Sequence, residues 1–315
     1  MNPLSATYGA VAYTRNLLYD SGFFSARLEA PVVSIGSISS GGAGKTPFVL
    51  ALGELLKARG ICFDVLSRGY ARESRGVRLV DTEGEAREFG DEPLLIARRL
   101  GVPVIVGESR YHAGLLAEQR FRPQLHLLDD GFQHRALARD FDIVLLTEAD
   151  TRDNLLPSGR LREPLASLQR ADAVALLNGV ALPSVELKRG ARVWRAWRKP
   201  TIQNVPSHPV VFCGIARPQH FFSDLRTLGV NPAAEVGFRD HHAYDDGDLQ
   251  RLLALAREKD ANGFITTQKD KINLGPQAAA LVPLTIAELR MELEAGNDAI
   301  SAMLEAISGQ RQGGS

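Results

Sequence analysis

Cysteine is scarce in this chain, and the two that are present, Cys62 and Cys213, form no CxxC pair. Two distant cysteines argue against a disulfide framework and a zinc site, and they fit a reducing cytoplasm. Net charge is also absent, because 37 basic side chains balance 37 acidic ones. No overall field favours nucleic acid, so an anionic partner must be held by a local basic cluster.

A long uninterrupted hydrophobic run is missing as well. Residues 1–24 are apolar and rich in aromatics, but Ser5, Thr7, Arg15 and Asn16 interrupt them. This argues against a transmembrane helix, which needs about 20 mostly apolar residues. No basic residue precedes the stretch, so it is not a signal peptide. Two interpretations stay open: a helix packed on the domain, or an interfacial helix with Arg15 snorkelling towards water.

Short β-branched runs alternate with amphipathic stretches, which predicts an α/β fold with a mainly parallel sheet flanked by helices. The predicted strands are Val32–Gly36, Phe63–Leu66, Val104–Val106, Leu125–Leu128, Ile143–Leu146, Ala173–Leu177, Val210–Cys213 and Phe264–Thr267. The predicted helices are Pro47–Arg59, Pro93–Leu100, His112–Gln119, Phe221–Leu228 and Asp248–Lys259. Residues 72–88 are charged and punctuated by glycine, which indicates a hairpin or a mobile loop.

A cluster of prolines at Pro200, Pro206 and Pro209 predicts a domain boundary, and the α/β pattern restarts beyond it. The last helix of the second domain is expected to be able to pack against the first domain. The predicted units are an N-terminal helix over 1–28, a larger α/β domain over 29–200, a smaller α/β domain over 205–308 and a disordered, glycine- and glutamine-rich tail over 309–315.

The first predicted strand leads into a glycine-rich loop and then a helix, the order that a P-loop requires. Its glycines let backbone N–H groups turn around a phosphate, and the helix N-terminus adds partial positive charge. Lys45 is predicted to reach the β- and γ-phosphates, and Thr46 to bind Mg²⁺. Ser39 stands where the usual motif begins with glycine. The predicted ATP contacts are Ser39, Ser40, Gly41, Gly42, Ala43, Gly44, Lys45 and Thr46.

A second part of the site is predicted where the apolar strand Leu125–Leu128 runs into Asp129 and Asp130. Carboxylates at the carboxyl end of a parallel strand lie in the crevice where α/β sheets bind ligands. There they can hold Mg²⁺ or its water shell. Two acidic turn residues capping a strand are the alternative, and the phosphate loop favours the metal site.

Eight further motifs follow one another along the chain. They are Ser67-Arg68-Gly69-Tyr70, Gly90-Asp91-Glu92-Pro93, Gly107-Glu108-Ser109-Arg110, residues 128–134 (LDDGFQH), residues 156–165 (LPSGRLREPL), residues 212–218 (FCGIARP), residues 240–244 (DHHAY) and Thr267-Gln268-Lys269-Asp270. This ordered set resembles the tetraacyldisaccharide 4'-kinase family of lipid A biosynthesis, from about the N-terminal helix to Leu284. The sequence departs from the family at Ala71, where glycine is expected, and in the Gly214–Arg217 loop, where a glycine-asparagine form is more usual.

The resemblance implies a P-loop NTPase-type fold, Mg-ATP as phosphate donor, and an anionic acylated glucosamine disaccharide as acceptor. It favours the interfacial reading of the first helix, hence a peripheral or monotopic enzyme at the cytoplasmic face of the inner membrane. It implies Asp91 as catalytic aspartate, His241 as its partner, and Asp129 and Asp130 as the paired acidic residues. The residues implied near the acceptor are Arg68, Arg110, Gln133, His134, Arg162 and Glu163.

The residues themselves leave two roles open for Asp91. Phosphoryl transfer needs a group that accepts the hydroxyl proton, and a carboxylate near the γ-phosphate is suitable. An aspartate followed by Glu92, Pro93 and an apolar helix is equally typical of an N-cap. His241 likewise has two interpretations, a catalytic histidine or an ordinary histidine of a polar loop. Arg68, Arg110, Arg160 and Arg162 are either surface arginines or a cationic cluster that binds a phosphorylated acceptor.

Two other functional classes compete with the kinase interpretation. A regulatory P-loop GTPase or ATPase switch at the membrane is one, because Thr267-Gln268-Lys269-Asp270 resembles a guanine-reading loop whose lysine comes one position late. A membrane-bound scaffold with a vestigial P-loop is the other, and the intact Lys45 and Thr46 argue against it. Catalysis by Lys45, Asp91 and His241 with Mg-ATP is therefore the prediction.

Overall fold

A computed structural model of the chain describes residues 5, 7–9, 14, 16, 18–19 and 25–312. Most of the predicted N-terminal helix lies outside these residues, and those described before residue 20 are helical. Among the described residues, no helix is long and apolar enough to cross a membrane. The predicted disordered tail differs from the structure in part, because the last helix continues to Gln312; residues 313–315 lie outside the described part.

Twelve strands within the described residues form one sheet. They are β1 Val32–Ser37, β2 Phe63–Ser67, β3 Arg78–Leu79, β4 Val104–Val106, β5 Leu125–Asp129, β6 Phe141–Leu146, β7 Ala173–Leu177, β8 Arg192–Thr201, β9 Val210–Cys213, β10 Ala234–Gly237, β11 Phe264–Thr267 and β12 Leu284–Leu293. Their order across the sheet is β10-β9-β11-β12-β8-β7-β6-β1-β5-β2-β4-β3. Only the pairs β3–β4 and β8–β12 are antiparallel in the described part of the chain, so the predicted mainly parallel α/β fold is confirmed.

Strand β12 joins the two halves of the sheet. Its residues Leu284–Ala287 pair in parallel with β11, and its residues Glu288–Leu293 pair antiparallel with β8. The smaller half, β9 to β11, is therefore continuous with the larger half around β1. We retain the division into two α/β units, one on each side of this joint, as a proposal.

Besides the helical residues before position 20, nine α-helices of the described chain flank the sheet. They are α1 Lys45–Ala58, α2 Ala86–Phe89, α3 Asp91–Leu100, α4 Arg110–Phe121, α5 Glu148–Arg152, α6 Pro218–Thr227, α7 Asp246–Glu258, α8 Gln268–Leu274 and α9 Gly296–Gln312. Helix α1 packs against α3, β12 and α9, and α9 also contacts β6. Helix α3 packs against α8 from the second unit, which brings the two units together beside the P-loop.

Four strands, β3, β8, β10 and β12, were not predicted, for different physical reasons. Strand β12 contains Ala, Glu, Leu, Arg and Met, which favour helices, and its pairing with two neighbours overrides that weak propensity. Strand β8 alternates arginines with buried Trp194 and Ala196, so it lacks a continuous apolar run. Strand β10 is short and mostly half-buried. The region 72–88 folds as the short strand β3 and helix α2.

Candidate active site

The phosphate loop has the backbone geometry that its glycines predict. Gly41, Gly42 and Gly44 adopt φ angles of 69°, 68° and 79°, in the left-handed region that favours glycine. Gly44 is the N-cap, and helix α1 begins directly after it at Lys45. The backbone N–H of Ser40 donates to the carbonyl of Arg160 at 2.8 Å, which fixes the start of the loop to a neighbouring segment.

Lys45 lies in a charged cluster at the loop. Its Nζ lies 3.2 Å from Oδ1 of Asp130, while Nη1 of Arg162 donates to Oδ2 of the same carboxylate at 3.0 Å. Burial would raise the pKa of Asp130, but the charges of Lys45 and Arg162 outweigh it and hold that pKa below its usual range. Asp130 is therefore ionised and holds Lys45 and Arg162 beside the glycine-rich loop.

Asp129 ends strand β5, beside β1, and lies deeper than Asp130. Its Oδ2 accepts a hydrogen bond of 3.1 Å from the Ser67 hydroxyl. Among the described residues, its Oδ1 is buried and has no hydrogen-bond partner. Burial, followed by the charges of Glu92 and Asp130, raises the pKa of Asp129 to about 7. A cation near Oδ1 would offset this repulsion and favour the carboxylate.

Asp91 and His241 meet although they lie 150 positions apart in the chain. Nδ1 of His241 lies 2.9 Å from each carboxylate oxygen of Asp91. Asp91 is almost fully buried, whereas the His241 ring lines the cleft. Asp91 is the first residue of α3, after Gly90 at the N-cap position, and its Oδ1 accepts a hydrogen bond of 2.7 Å from the backbone N–H of Glu92. The carboxylate therefore satisfies one N–H of the first turn of the helix as well as contacting His241. His241 adopts a φ of 56°, which is uncommon for a residue with a side chain and is often found at functional sites.

The two members of this pair shift each other's pKa in opposite directions. Burial, the largest effect, would raise the pKa of Asp91, but the hydrogen bond from His241 and the charge of Lys269 bring it below its usual value. Burial would likewise lower the pKa of His241, but the hydrogen bond to Asp91 and its charge raise it overall. The pair therefore favours an ionised carboxylate beside a protonated imidazole.

Two residues of helix α8 complete this contact, and sequence reasoning did not assign them. Nζ of Lys269 donates to Oε1 of Glu92 at 2.9 Å and lies 3.9 Å from Oδ2 of Asp91. Nδ2 of Asn273 donates to the same Asp91 oxygen at 3.1 Å. The only sign of a role for Lys269 in the sequence was its place in Thr267-Gln268-Lys269-Asp270, the motif that resembles a guanine-reading loop.

The aspartate of that motif is structural. Asp270 is fully buried, and its Oδ1 accepts hydrogen bonds from the backbone N–H of Gly214 at 2.7 Å and from the Tyr244 hydroxyl at 2.8 Å. Its other oxygen accepts from the Thr267 hydroxyl. A carboxylate with these partners is positioned to hold the Gly214 loop.

Five of the six residues predicted near the acceptor line the cleft: Arg68, Arg110, Gln133, His134 and Arg162. Burial, followed by the charges of Arg110, Arg139 and Arg68, lowers the pKa of His134 to about 4, so this ring is neutral at pH 7. Burial and then the charge of Arg68 also lower the pKa of Arg110. The two arginines therefore repel each other at a place where an anion would relieve the repulsion.

The sixth, Glu163, is fully buried and supports its neighbours. It accepts hydrogen bonds from Gln133 at 3.2 Å and from Asn16 at 2.8 Å, and it pairs with Arg170 at 2.8 Å. Asn16 belongs to the helical N-terminal residues, as does Ser5, whose hydroxyl donates to the carbonyl of Leu155 at 3.1 Å. The described part of the N-terminal segment therefore packs beside the predicted acceptor residues.

These groups surround a cleft of about 990 Å³. The larger half of the sheet contributes the phosphate loop, Asp129, Asp130 and the acceptor-side residues to its lining, while the smaller half contributes Arg217, His241 and Lys269. A phosphate loop, two carboxylates at the adjacent strand end and a buried acid–histidine pair define a P-loop phosphotransferase.

The chain belongs to the tetraacyldisaccharide-1-P 4'-kinase family, whose model matches residues 1–308. It is 46% identical to the tetraacyldisaccharide 4'-kinase of Koribacter versatilis, over 99% of this chain and 100% of that protein. It is 38% identical to the protein of the same name from Geobacter metallireducens, over 92% of each. The crystal structure of LpxK from Aquifex aeolicus in complex with ATP superposes with a TM-score of 0.78 at 33% identity, covering 97% of this chain and 98% of that one. These matches confirm the predicted family and favour the kinase over the regulatory switch.

Proposed function

We propose that this chain transfers the γ-phosphoryl group of Mg-ATP to the 4'-hydroxyl of tetraacyldisaccharide 1-phosphate. The observation that carries the proposal is the cleft itself, which is lined by the phosphate loop of one unit and by His241 of the other. Its relatives are named for this reaction, and the Aquifex aeolicus structure contains ATP. A donor site and a proton acceptor beside one cleft are what an alcohol kinase requires.

On the donor side, we propose that residues 39–46 hold the ATP phosphates and that Lys45 exchanges its contact with Asp130 for the γ-phosphate. Thr46, Asp129 and Asp130 would hold Mg²⁺, which neutralises charge on the phosphate oxygens. The buried, unpartnered Oδ1 of Asp129 fits this ion. Mg²⁺ normally binds one or two carboxylates together with phosphate and water, so a site with few protein ligands is expected.

On the acceptor side, we propose that Asp91 and His241 take up the hydroxyl proton as a unit. The 4'-oxygen forms a bond to the γ-phosphorus, the bond from that phosphorus to the β–γ bridging oxygen breaks, and ADP leaves with the bond's electron pair. Asp91 supplies the negative charge that receives the proton, and His241 orients the carboxylate from the cleft wall. Their 2.9 Å contact supports this pairing.

We infer that Arg68, Arg110, Gln133, His134 and Arg162 bind the acceptor, because they gather positive and polar groups in a chain with no net charge. Glu163 would hold Gln133 in place. The N-terminal residues pack beside this region and leave Leu18 54% exposed, which supports an interfacial role at the cytoplasmic face of the inner membrane.

The test is product formation. The purified protein is incubated with Mg-ATP and tetraacyldisaccharide 1-phosphate in mixed micelles, and the lipid is analysed by mass spectrometry and phosphorus NMR. We expect one added phosphate, attached at the 4' oxygen, with one ADP formed for each product. ATP hydrolysis without a bisphosphorylated lipid would contradict the proposal and would favour a regulatory switch.

A further inference from the structure

One arginine reaches the phosphate loop from the second unit. Arg217 directly precedes helix α6 and lines the cleft. A Cβ placed on Gly42 would lie 3.0 Å from Nε, 3.2 Å from Cδ and 3.3 Å from Cγ of Arg217. A Cβ on Gly41 would lie 3.5 Å from Cβ of the preceding residue, Ala216. The Arg217 side chain therefore lies directly against the middle of the loop that cradles phosphate.

The guanidinium lacks the acceptors that a half-buried arginine normally has. Within the described part of the chain, Nε and Nη2 of Arg217 are buried without a hydrogen-bond partner. Burial, followed by the charge of Arg160, lowers the pKa of Arg217; Asp150 opposes this, and Arg198 adds to it. Buried donors without partners cost free energy, and an anion on the loop would supply the missing acceptors.

The loop that carries Arg217 is anchored to the rest of the site. The Gly214 N–H donates to buried Asp270, and the Gly214 carbonyl accepts from the backbone N–H of His241 at 3.1 Å. Arg217 and His241 therefore depend on one turn of the second unit. The position of Arg217 against the phosphate loop is therefore linked to the position of His241 in the cleft.

We propose that Arg217 donates hydrogen bonds to the β- and γ-phosphate oxygens of ATP and stabilises the charge that develops there during transfer. It acts as an arginine finger supplied by the second unit of the same chain. The inference rests on the proposed kinase function and assigns one more residue to the same reaction. A planar guanidinium suits this role, because it contacts two phosphate oxygens at once.

The test compares Arg217→Met with the control Arg226→Met at the other end of helix α6. Methionine keeps an unbranched stem against Gly42 but removes the charge. Arginine fingers contribute about 10³–10⁵ to kcat, and we set a lower limit of about 10² for the loss of kcat in Arg217→Met. The Tm of this variant should be unchanged. The control should match wild type. A folded Arg217→Met variant within threefold of wild-type kcat would overturn the proposal.

Arg217→Lys covers the case in which the methionine variant does not fold. It keeps the charge and the stem but loses the planar fork, so kcat should fall at least tenfold. Wild-type kcat in this variant would count against the proposal.

Binding measured without the lipid separates this inference from the proposed function. By isothermal titration calorimetry, Arg217→Met should bind Mg-ATP at least tenfold more weakly than wild type and lose less affinity for AMP, which lacks both contacted phosphates. If wild type made no bisphosphorylated lipid but this pattern held, only the acceptor assignment would fail. If wild type phosphorylated the lipid and the variant equalled it in both assays, only the role of Arg217 would fail.

Discussion

The two walls of the cleft are built in different ways. On the phosphate-loop wall, neighbouring parallel strands end at one edge, so Lys45 and Asp129 come together through the register of β1 and β5. On the second wall, where the His241 ring lines the cleft, the buried Asp91 contacts His241 and Asn273 across separations of 150 and 182 residues. The first wall is formed by adjacent strands and the loops that follow them, whereas the second requires helix α3, helix α8 and the loop of His241 to pack together. This difference predicts that substitutions on the first wall lower kcat alone. Substitutions on the second wall should lower kcat and also weaken the contact between the two units.

The largest effect is expected from Lys45→Ala on the first wall. Lys45 is the cation of the phosphate loop, and losing it removes charge stabilisation from the transferred phosphate. We expect kcat to fall by about 10³–10⁵, the range for removing another transition-state cation from such a site. The control Lys271→Ala alters an exposed lysine and should leave kcat unchanged. A folded Lys45→Ala variant with near wild-type turnover would show that the loop is not catalytic.

The next effect is expected from Asp91→Asn on the second wall. Asparagine keeps the size and one hydrogen-bond acceptor but cannot take up the proton. General-base assistance contributes about 10²–10⁴, so kcat should fall by that factor while ATP affinity stays unchanged. The measurement is steady-state kcat together with Tm. A stable, fully active variant would leave Asp91 with a structural role alone.

The contribution of the second wall to the free energy of unfolding should depend on pH, because Asp91 and His241 form an ion pair. His241 contributes stability below its unfolded pKa, about 6.5, and loses it as pH rises through its higher folded pKa. Asp91 contributes above its unfolded pKa, about 3.9, and loses it as pH falls through its lower folded pKa. His241→Gln should therefore cost about 1.5–3 kcal/mol of unfolding free energy at pH 5.5 and less at pH 9.

Chemical denaturation of wild type and His241→Gln at both pH values measures this difference. The variant His208→Gln, at an exposed histidine, is the control and should show little change at either pH. A cost for His241→Gln that is equal at pH 5.5 and pH 9 would contradict an ion pair between His241 and Asp91.

The smallest effect concerns Ala71, where the sequence departs from its family. Ala71 adopts a φ of 60°, which explains why glycine is expected there. The left-handed region costs an alanine about 1–2 kcal/mol, and glycine loses about 0.5–1 kcal/mol in chain entropy. Ala71→Gly should therefore stabilise the protein by about 0.5–1 kcal/mol without changing kcat. The control Ala254→Gly in helix α7 should have the opposite sign, and a destabilised Ala71→Gly variant would contradict the argument.

The contrast between the walls also explains what the sequence could predict. The phosphate loop and Asp129 were predictable because a strand, a glycine-rich turn and a helix are adjacent in the chain. The pairing of Asp91 with His241 followed only from the family resemblance, since no local pattern links positions 150 residues apart. Lys269, Asn273 and Arg217 were not assigned, because their roles depend on the packing of α8 and the Gly214 loop against the first unit.

Strand β12 shows the same limit in the fold. Its helix-favouring residues hide a strand whose two halves pair with different neighbours, and this strand joins the two halves of the sheet. The boundary predicted from the prolines is therefore bridged by a strand that local propensity cannot reveal.

Asp91 and His241 are proposed to work as one proton acceptor assembled from two units, and a double-mutant cycle on kcat measures whether they do. Wild type, Asp91→Asn, His241→Gln and the double variant are compared at saturating Mg-ATP and lipid. If the pair acts as a unit, the double variant should be about as slow as Asp91→Asn alone, because the imidazole has no carboxylate left to orient. If the two losses instead multiply, the residues contribute independently and the shared acceptor is contradicted.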